Sequence, residues 1–293
     1  MILASHGIIG SQITQFVGLL DTYSGAAAAY SLRKLRTAYT GSAIEVRRAS
    51  DNSTQDIGFV NNELDTTSLA SFCSGTNGFV TTWYDQSGNG NNATQSTAAN
   101  QPRIVSSGSV ITENGKPAVQ FDGNDWFANS TNGVLRLDLR THFYVIKETT
   151  STDFAGIVSY SPSTGNDFSN TSAGNINLGN GSTFGNTAMN LASNVPFISG
   201  TKPTPYRLIS SYCDSSNGYI QANNGTFSSS AHGYSSNSFQ TGLIHIGVRF
   251  LGSPSTTYAH KGIMQELIMY NGDSQNSNIS DINTNINDFY SIY

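Results

Sequence analysis

Nineteen acidic residues and five histidines carry most of this chain's potential acid–base chemistry, and their spacing decides what that chemistry could be. General acid–base work by carboxylates needs two carboxyl groups held a few ångströms apart. The five glutamates, Glu45, Glu63, Glu113, Glu148 and Glu266, are scattered along the chain. Glu148 ends the strongest central-strand pattern, and Asp153 and Asp167 lie in polar loops beyond it. These three are the fallback catalytic set, although a loop carboxylate more often serves as a turn acceptor. No nucleophile elbow and no Ser–His–Asp spacing stands out. His6, His142, His232, His245 and His260 show no metal-ligand spacing, and His142 and His245 fall inside strand patterns as structural residues. Gly88 and Gly90 follow a strand but lack the lysine or dinucleotide context of a phosphate loop.

Two tight loops are rich in hard oxygen donors. One, a structural loop that also includes Ser87, holds Asp85, Asn89 and Asn91; the other holds Asp122, Asn124 and Asp125. Either could suit a structural calcium ion, but neither has EF-hand spacing, so a metal-free Asx turn is the favoured reading of both. No other cofactor is expected. Trp126, Phe127, Tyr160, Tyr234 and Tyr258 sit in or beside polar loops and form the candidate sugar-contact set. Flat aromatic faces next to Asn and Asp suit polyhydroxylated ligands. Competing with that role, Trp126 and Phe127 could cap a core. Trp83, inside an apolar strand, reads as core.

The elements that would position these residues are mostly strands. Charged residues make up 11% of the 293, against roughly 25% in an ordinary soluble domain. Polarity comes instead from Ser, Thr, Asn, Gln and 29 Gly, and aromatics reach 11%. That mixture predicts many short strands joined by polar turns. The net charge of -5 leaves no basic footprint for nucleic acid. No stretch is apolar and long enough to span a bilayer, and the N-terminus lacks the basic start of a signal peptide. Cys73 and Cys213 are too few for a disulfide scaffold and are expected to be buried and unpaired.

In chain order, residues 1–20 form an apolar lead segment, either packed on its own domain or serving as an anchoring or assembly arm. Ala26 to Tyr39 reads as a helix from its alanine run and helical spacing. Asp65 or Thr66 caps a short helix through Phe72. The strand Gly78 to Tyr84 breaks off at Asp85-Gln86-Ser87-Gly88-Asn89-Gly90-Asn91, a rigid corner. From Gln101 the pattern is almost wholly β, with His142–Lys147 the strongest central strand and Asn223-Asn224-Gly225 a hairpin turn. Ile279, Ile282, Ile286 and Phe289 mark a closing amphipathic helix. The expectation is an all-β, concanavalin A-like jelly-roll sandwich over residues 21–293, with short N-terminal helices and a C-terminal helix.

Three stretches resemble concanavalin A-like and laminin-G-like sandwiches: Phe121-Asp122-Gly123, Gly218 to Gly225, and Gly262 to Gly272. Ala29 to Leu35, Val46 to Asn52, Phe72-Cys73 and Tyr84 to Asn91 resemble the start of the catalytic domain of family 54 α-L-arabinofuranosidases. Similar modules occur in phage particle proteins. The resemblance implies a glutamate nucleophile in a loop after the central strand, near paired cysteines. The matching stretch, Ser159 to Gly165, has neither. It also implies an acid aspartate after a late Ile-Gly strand, whereas Ile246-Gly247 runs into Val248-Arg249-Phe250-Leu251-Gly252-Ser253. A small disulfide implied at Cys73 lacks its partner in Thr76-Asn77-Gly78.

These departures lead to the expectation of a non-enzymatic, virion-associated structural or adhesion protein, such as a capsid decoration, head fibre or tail module. It would assemble with other particle proteins and as a homo-oligomer, and bind surface glycans weakly. Two alternatives are a glycoside hydrolase acting on arabinofuranosides or a related polysaccharide, and a cellular carbohydrate-binding protein.

Overall fold

The computed structural model describes residues 15–129, 135, 136, 138–149, 154–160, 207–232, 234 and 243–293 in full, and 174–180, 183–190 and 197–198 as backbone strands. Asp153, Asp167 and the stretch 161–165 lie outside the described residues, as does the lead segment before residue 15.

The molecule is predominantly β, as the composition predicts. The Arg140–Glu148 strand is central. It pairs antiparallel with Arg207–Cys213 on one side and with Lys261–Asn271 on the other. Lys261–Asn271 in turn takes Ala26–Ser31 and Val119–Asp122 along its far edge. Arg207–Cys213 continues into Asn217–Ala222 and Ser228–Ala231. A second layer runs from Ala155–Tyr160 through Ile244–Ile246 and Phe127–Asn129 to Ala93–Thr94, then Gly78–Trp83 and Ile44–Arg48. Arg103–Ser106 joins the two layers through Gly78–Trp83 and Gln120.

Strand alternation sorts the central strand between two cores. Tyr144 and Ile146 face the core between the layers, together with Trp83, Phe121, Phe127 and Leu267. Phe143 and Val145 face the opposite way, onto the C-terminal helix Ile279–Tyr290 through Ile282 and Ile286. That helix is the one the Ile spacing predicts. Asp65 caps Thr66–Phe72 by accepting the Ser68 N–H at 3.0 Å. Asn223 and Asn224 both adopt left-handed backbone, with φ of 52° and 55°, as a tight hairpin turn demands.

One element differs outright. The alanine run is a strand, Ala26–Ser31, not part of a helix. All six of its residues are buried, with Ala28 and Tyr30 facing one core and Ala26 and Ala29 facing the other. Small side chains let both neighbouring layers close on this backbone, and pairing with Lys261–Asn271 satisfies its N–H and C=O groups. Tertiary burial outweighs the modest helix preference of alanine, which is a few tenths of a kcal/mol per residue, up to about 0.7, over ordinary residues.

The corner after Trp83 clamps this strand. Asp85 Oδ1 accepts N–H groups from Ala29 and Ser87, both at 2.8 Å, and Oδ2 accepts from Ser87 Oγ at 2.7 Å and Asn91 N at 2.9 Å. Gln86 Oε1 accepts the Leu35 N–H, and its amide donates to the carbonyls of Ser31 and Arg33. Asn89 and Asn91 donate to the Ala27 carbonyl. Asp85→Ala strips a buried N–H of its acceptor and frees the turn. It is expected to lower stability by about 3 kcal/mol, read as a drop in urea midpoint at constant slope. A loss under roughly 0.5 kcal/mol would show that the corner holds its shape without this carboxylate.

Arg33 and Glu266 tie the first strand, the last strand and the final helix together. Arg33 Nε donates to Glu266 Oε2 at 2.8 Å and Nη2 to Oε1 at 3.0 Å. Ser31 Oγ and Tyr290 Oη also donate to Oε2. Both charged groups are buried. Cys73 and Cys213 are buried free thiols. Among the described residues, no helix is long and apolar enough to cross a membrane.

Candidate active site

Most described carboxylates have a local structural task. Glu63 and Glu113 pair with Lys116 and Lys147, Asp51 with Arg48 and Asp138 with Arg136. Glu266 is held by Arg33, Asp65 is a helix cap, Asp85 is a turn organiser, and Asp214 accepts the Ser216 and Asn217 N–H groups in its turn. Glu148, from the fallback set, is buried and its charge acts on Arg207. Among the described residues, no group of three or more His, Cys, Asp or Glu is arranged to hold a metal ion.

Asp122 and Asp125 stand apart. They close the turn between Val119–Asp122 and Phe127–Asn129, and both line a cavity of about 340 Å³ with Phe79, Ala98, Ala99, Gln101, Arg103 and Gln120. The turn is an Asx type: Asp122 Oδ1 accepts the Asn124 N–H, and Asp125 Oδ2 accepts the Asp122 N–H, both at 2.8 Å. Burial pushes the Asp125 carboxyl up to about 7, and the charge and side-chain hydrogen bond of Asp122 add to the rise. The Asp122 N–H and the charge of Arg103 oppose it. The cavity wall is fixed. Arg47 Nε donates to Gln101 Oε1 at 2.7 Å, Arg103 donates to Gln120 Oε1 at 2.6 Å through Nη2, and Arg47 lies 5.0 Å over the Phe79 ring. A larger cavity of about 570 Å³ between Val60 and Pro117 also holds two carboxylates, Glu63 and Asp65, but both are committed as above.

The raised value has a stability consequence with a definite sign. The folded carboxyl titrates near 7 and the ordinary value is 3.8, so the folded state holds more protons between those limits. Stability therefore falls as pH rises through that window, and the penalty is complete above it. Asp125→Asn keeps an acceptor for the Asp122 N–H and removes the titration. Its unfolding midpoint is expected to exceed that of the unsubstituted protein at pH 8 and to match it near pH 4. Equal differences at both pH values would contradict the assignment.

The same end of the sandwich gathers aromatic and cationic groups. Trp126 is half-buried, 5.6 Å from the His245 ring, and His245 stacks on Phe250 at 4.8 Å. Burial drives the His245 ring down to about 4, so it is neutral at pH 7. Arg249 lies over Tyr258, itself half-buried, and over Phe154. Gly247, at φ 89°, lies against this turn. A Cβ there would meet the Phe121 ring at 2.5 Å and the Asp125 carbonyl at 3.3 Å. The Asp125 backbone thus packs beside Gly247, although the two are far apart in sequence.

Other members of the sugar-contact set face inward. Phe127 is fully buried against Trp83 and Phe121, so it belongs to the core. Tyr160 and Tyr234 are buried around Arg140, at the other end of the molecule. Trp126 and Tyr258 alone of the five keep partial exposure beside the cavity end. The Asp125 protonation was not legible in sequence, because it depends on burial of a turn that reads as exposed and polar.

A model of the catalytic domain of alpha-L-arabinofuranosidase B matches residues 21–246. The chain belongs to this arabinofuranosidase family. A probable alpha-L-arabinofuranosidase B of Aspergillus flavus is 31% identical over 194 residues, covering 60% of this chain and 37% of that protein. The alpha-L-arabinofuranosidase B of Aspergillus oryzae matches to the same extent. The chain therefore spans well under half the length of these relatives. The fold agrees with the crystal structure of an arabinofuranosidase complexed with arabinofuranosyl-alpha-1,2-xylobiose, with a TM-score of 0.64 at 21% identity over 88% of this chain and 62% of that one. A family 54 α-L-arabinofuranosidase soaked with a cyclic sulfate inhibitor gives 0.61 at 18% identity.

Membership in the arabinofuranosidase family corrects the functional expectation. A non-enzymatic virion or adhesion protein is overturned by a match to a catalytic domain over most of the chain and by relatives that carry enzyme names. The particle location and the capsid, fibre or tail roles fall with it, because the relatives that match carry enzyme names.

Proposed function

We propose that this chain is a glycoside hydrolase domain that removes α-L-arabinofuranosyl groups from a glycan, with Asp125 as the proton donor. The observation that carries the reading is the Asp125 carboxyl, held protonated up to about pH 7 beside a second carboxyl in an open cavity. A glycosidase acid must keep its proton at working pH and deliver it to the departing oxygen. Asp122 contributes the negative charge that both holds that proton and favours an oxocarbenium-like transition state. In this reading the acid comes from the neighbouring hairpin, against the Ile246-Gly247 segment after which the resemblance implies it. Gln120, with its amide oriented by Arg103, is suited to sugar hydroxyls.

Family membership supports the choice of arabinofuranosides over other sugars. The direct test is release of 4-nitrophenol by the full chain from 4-nitrophenyl α-L-arabinofuranoside, set beside the matched β-D-xylopyranoside and β-D-glucopyranoside. Turnover of the arabinofuranoside alone supports the reading. No release above the uncatalysed rate from any of the three overturns it.

A further inference from the structure

Two glutamines line the Asp125 cavity, and the fold uses them differently. Gln101 is committed at both ends of its amide. Its Oε1 accepts the Arg47 Nε–H at 2.7 Å, and its Nε2 donates to the Gln95 carbonyl at 2.9 Å. Gln120 is committed at one end only. Its Oε1 accepts from Arg103 twice, from Nη2 at 2.6 Å and from Nε at 3.1 Å. Its Nε2 makes no hydrogen bond to the described residues.

Gln120 and Arg103 lie opposite one another where Val119–Asp122 pairs with Arg103–Ser106. Two N–H groups of one planar fork fill both lone pairs of the amide oxygen. Turning the amide over would set N–H groups against N–H groups, so the nitrogen stays on the side away from Arg103. Strand alternation then sets its distance from the carboxyls. Val119 and Phe121 point into the core, which leaves Gln120 and Asp122 on the outer face two residues apart. That step is about 7 Å, comparable to one sugar residue. Asp125 belongs to the Asp122 end, because its Oδ2 accepts the Asp122 N–H.

We infer that Gln120 is the specificity-determining residue of this cavity and Arg103 its positioning residue: together they present a fixed N–H donor that selects a glycoside by one particular hydroxyl. An amide N–H donates and cannot accept, so the sugar oxygen serves as acceptor. A site built to bond a hydroxyl rejects the analogue that lacks it, because the protein group is then left unpaired. The selected group is neutral, in keeping with a wall that carries both the Arg103 guanidinium and the Asp122 carboxylate. The identity of the sugar rests on the proposed activity.

The test is isothermal titration of the full chain, carrying Asp125→Asn so that no turnover intervenes. The ligands are methyl α-L-arabinofuranoside and its 2-deoxy, 3-deoxy and 5-deoxy analogues. One analogue is expected to bind about threefold to tenfold more weakly than the parent, the loss of one hydrogen bond. Adding Gln120→Met should weaken the parent by the same factor and leave that analogue unchanged, so the discrimination disappears. Adding Arg103→Lys keeps the charge but not the planar fork, and the discrimination should shrink. A residue that only holds the fold would weaken all four ligands alike. The inference is overturned if the parent does not bind, if the three analogues bind as well as the parent, or if either variant leaves the discrimination intact or weakens all four ligands alike. Hydrolysis is measured separately on the unsubstituted chain. Its absence with the discrimination intact removes the proposed activity alone, and hydrolysis without the discrimination removes this inference alone.

Discussion

Asp125→Asn is expected to lower kcat on an arabinofuranosyl oligosaccharide by about 10²–10⁴, the usual contribution of a positioned general acid. The substitution keeps the acceptor for the Asp122 N–H, so the turn should persist. A sugar alkoxide needs a proton to depart, whereas 4-nitrophenolate departs far more readily without one. The loss should therefore be much smaller on 4-nitrophenyl α-L-arabinofuranoside than on the oligosaccharide. This split separates an acid from a residue that merely holds the fold, whose removal would depress both substrates alike. The pH profile provides a second readout. Activity of the unsubstituted protein should decline above about pH 7 as Asp125 loses its proton, and the variant should lack that limb. Equal loss on both substrates, or an unchanged alkaline limb, would remove Asp125 from the acid role.

Glu266→Gln should give the largest loss of stability from a single side chain, about 3–5 kcal/mol. The carboxylate is 1% exposed and accepts both arms of Arg33 along with the Ser31 and Tyr290 hydroxyls. Removing its charge leaves a guanidinium buried against Phe289 and Tyr290, with no counter-charge from Glu266. The Arg33→Met, Glu266→Leu double variant should recover most of the deficit, because apolar groups of similar volume need no pairing. Urea midpoints of the three proteins decide the matter. A double variant as unstable as the single one would mean that the hydrogen bonds to Ser31 and Tyr290, more than the charge pair, hold this junction.

The strand at the heart of the molecule was visible in the run from His142 to Lys147, because β-branched and aromatic residues in a short run leave few alternatives. The C-terminal helix was equally visible, since isoleucines three and four apart can share a face only in a helix. The Asp85 carboxylate organises its corner through donors that are all local except Ala29. The alanine run misled because propensity is a weak local preference, while what decides Ala26–Ser31 is the edge of a strand 235 or more residues away. The aromatic set divided for a similar reason. Phe127 and Tyr160 lie beside polar residues in sequence, but strand alternation turns both inward.

Function followed the same division. The sequence by itself determined the family, because Tyr84 to Asn91 and the stretches around it form a local corner whose shape depends on the identity of nearby residues. It also determined the all-β class, the low charge and the cysteines' independence. Only the tertiary structure decided which carboxyl is buried beside a second one in a cavity wall. Asp122 and Asp125 read as ordinary turn residues until burial, a neighbouring charge and a cavity wall drawn from three separate stretches act on them. A proton's affinity is set by everything within several ångströms of it, and the burial that acts most on Asp125 comes from packing that the turn's own sequence does not show.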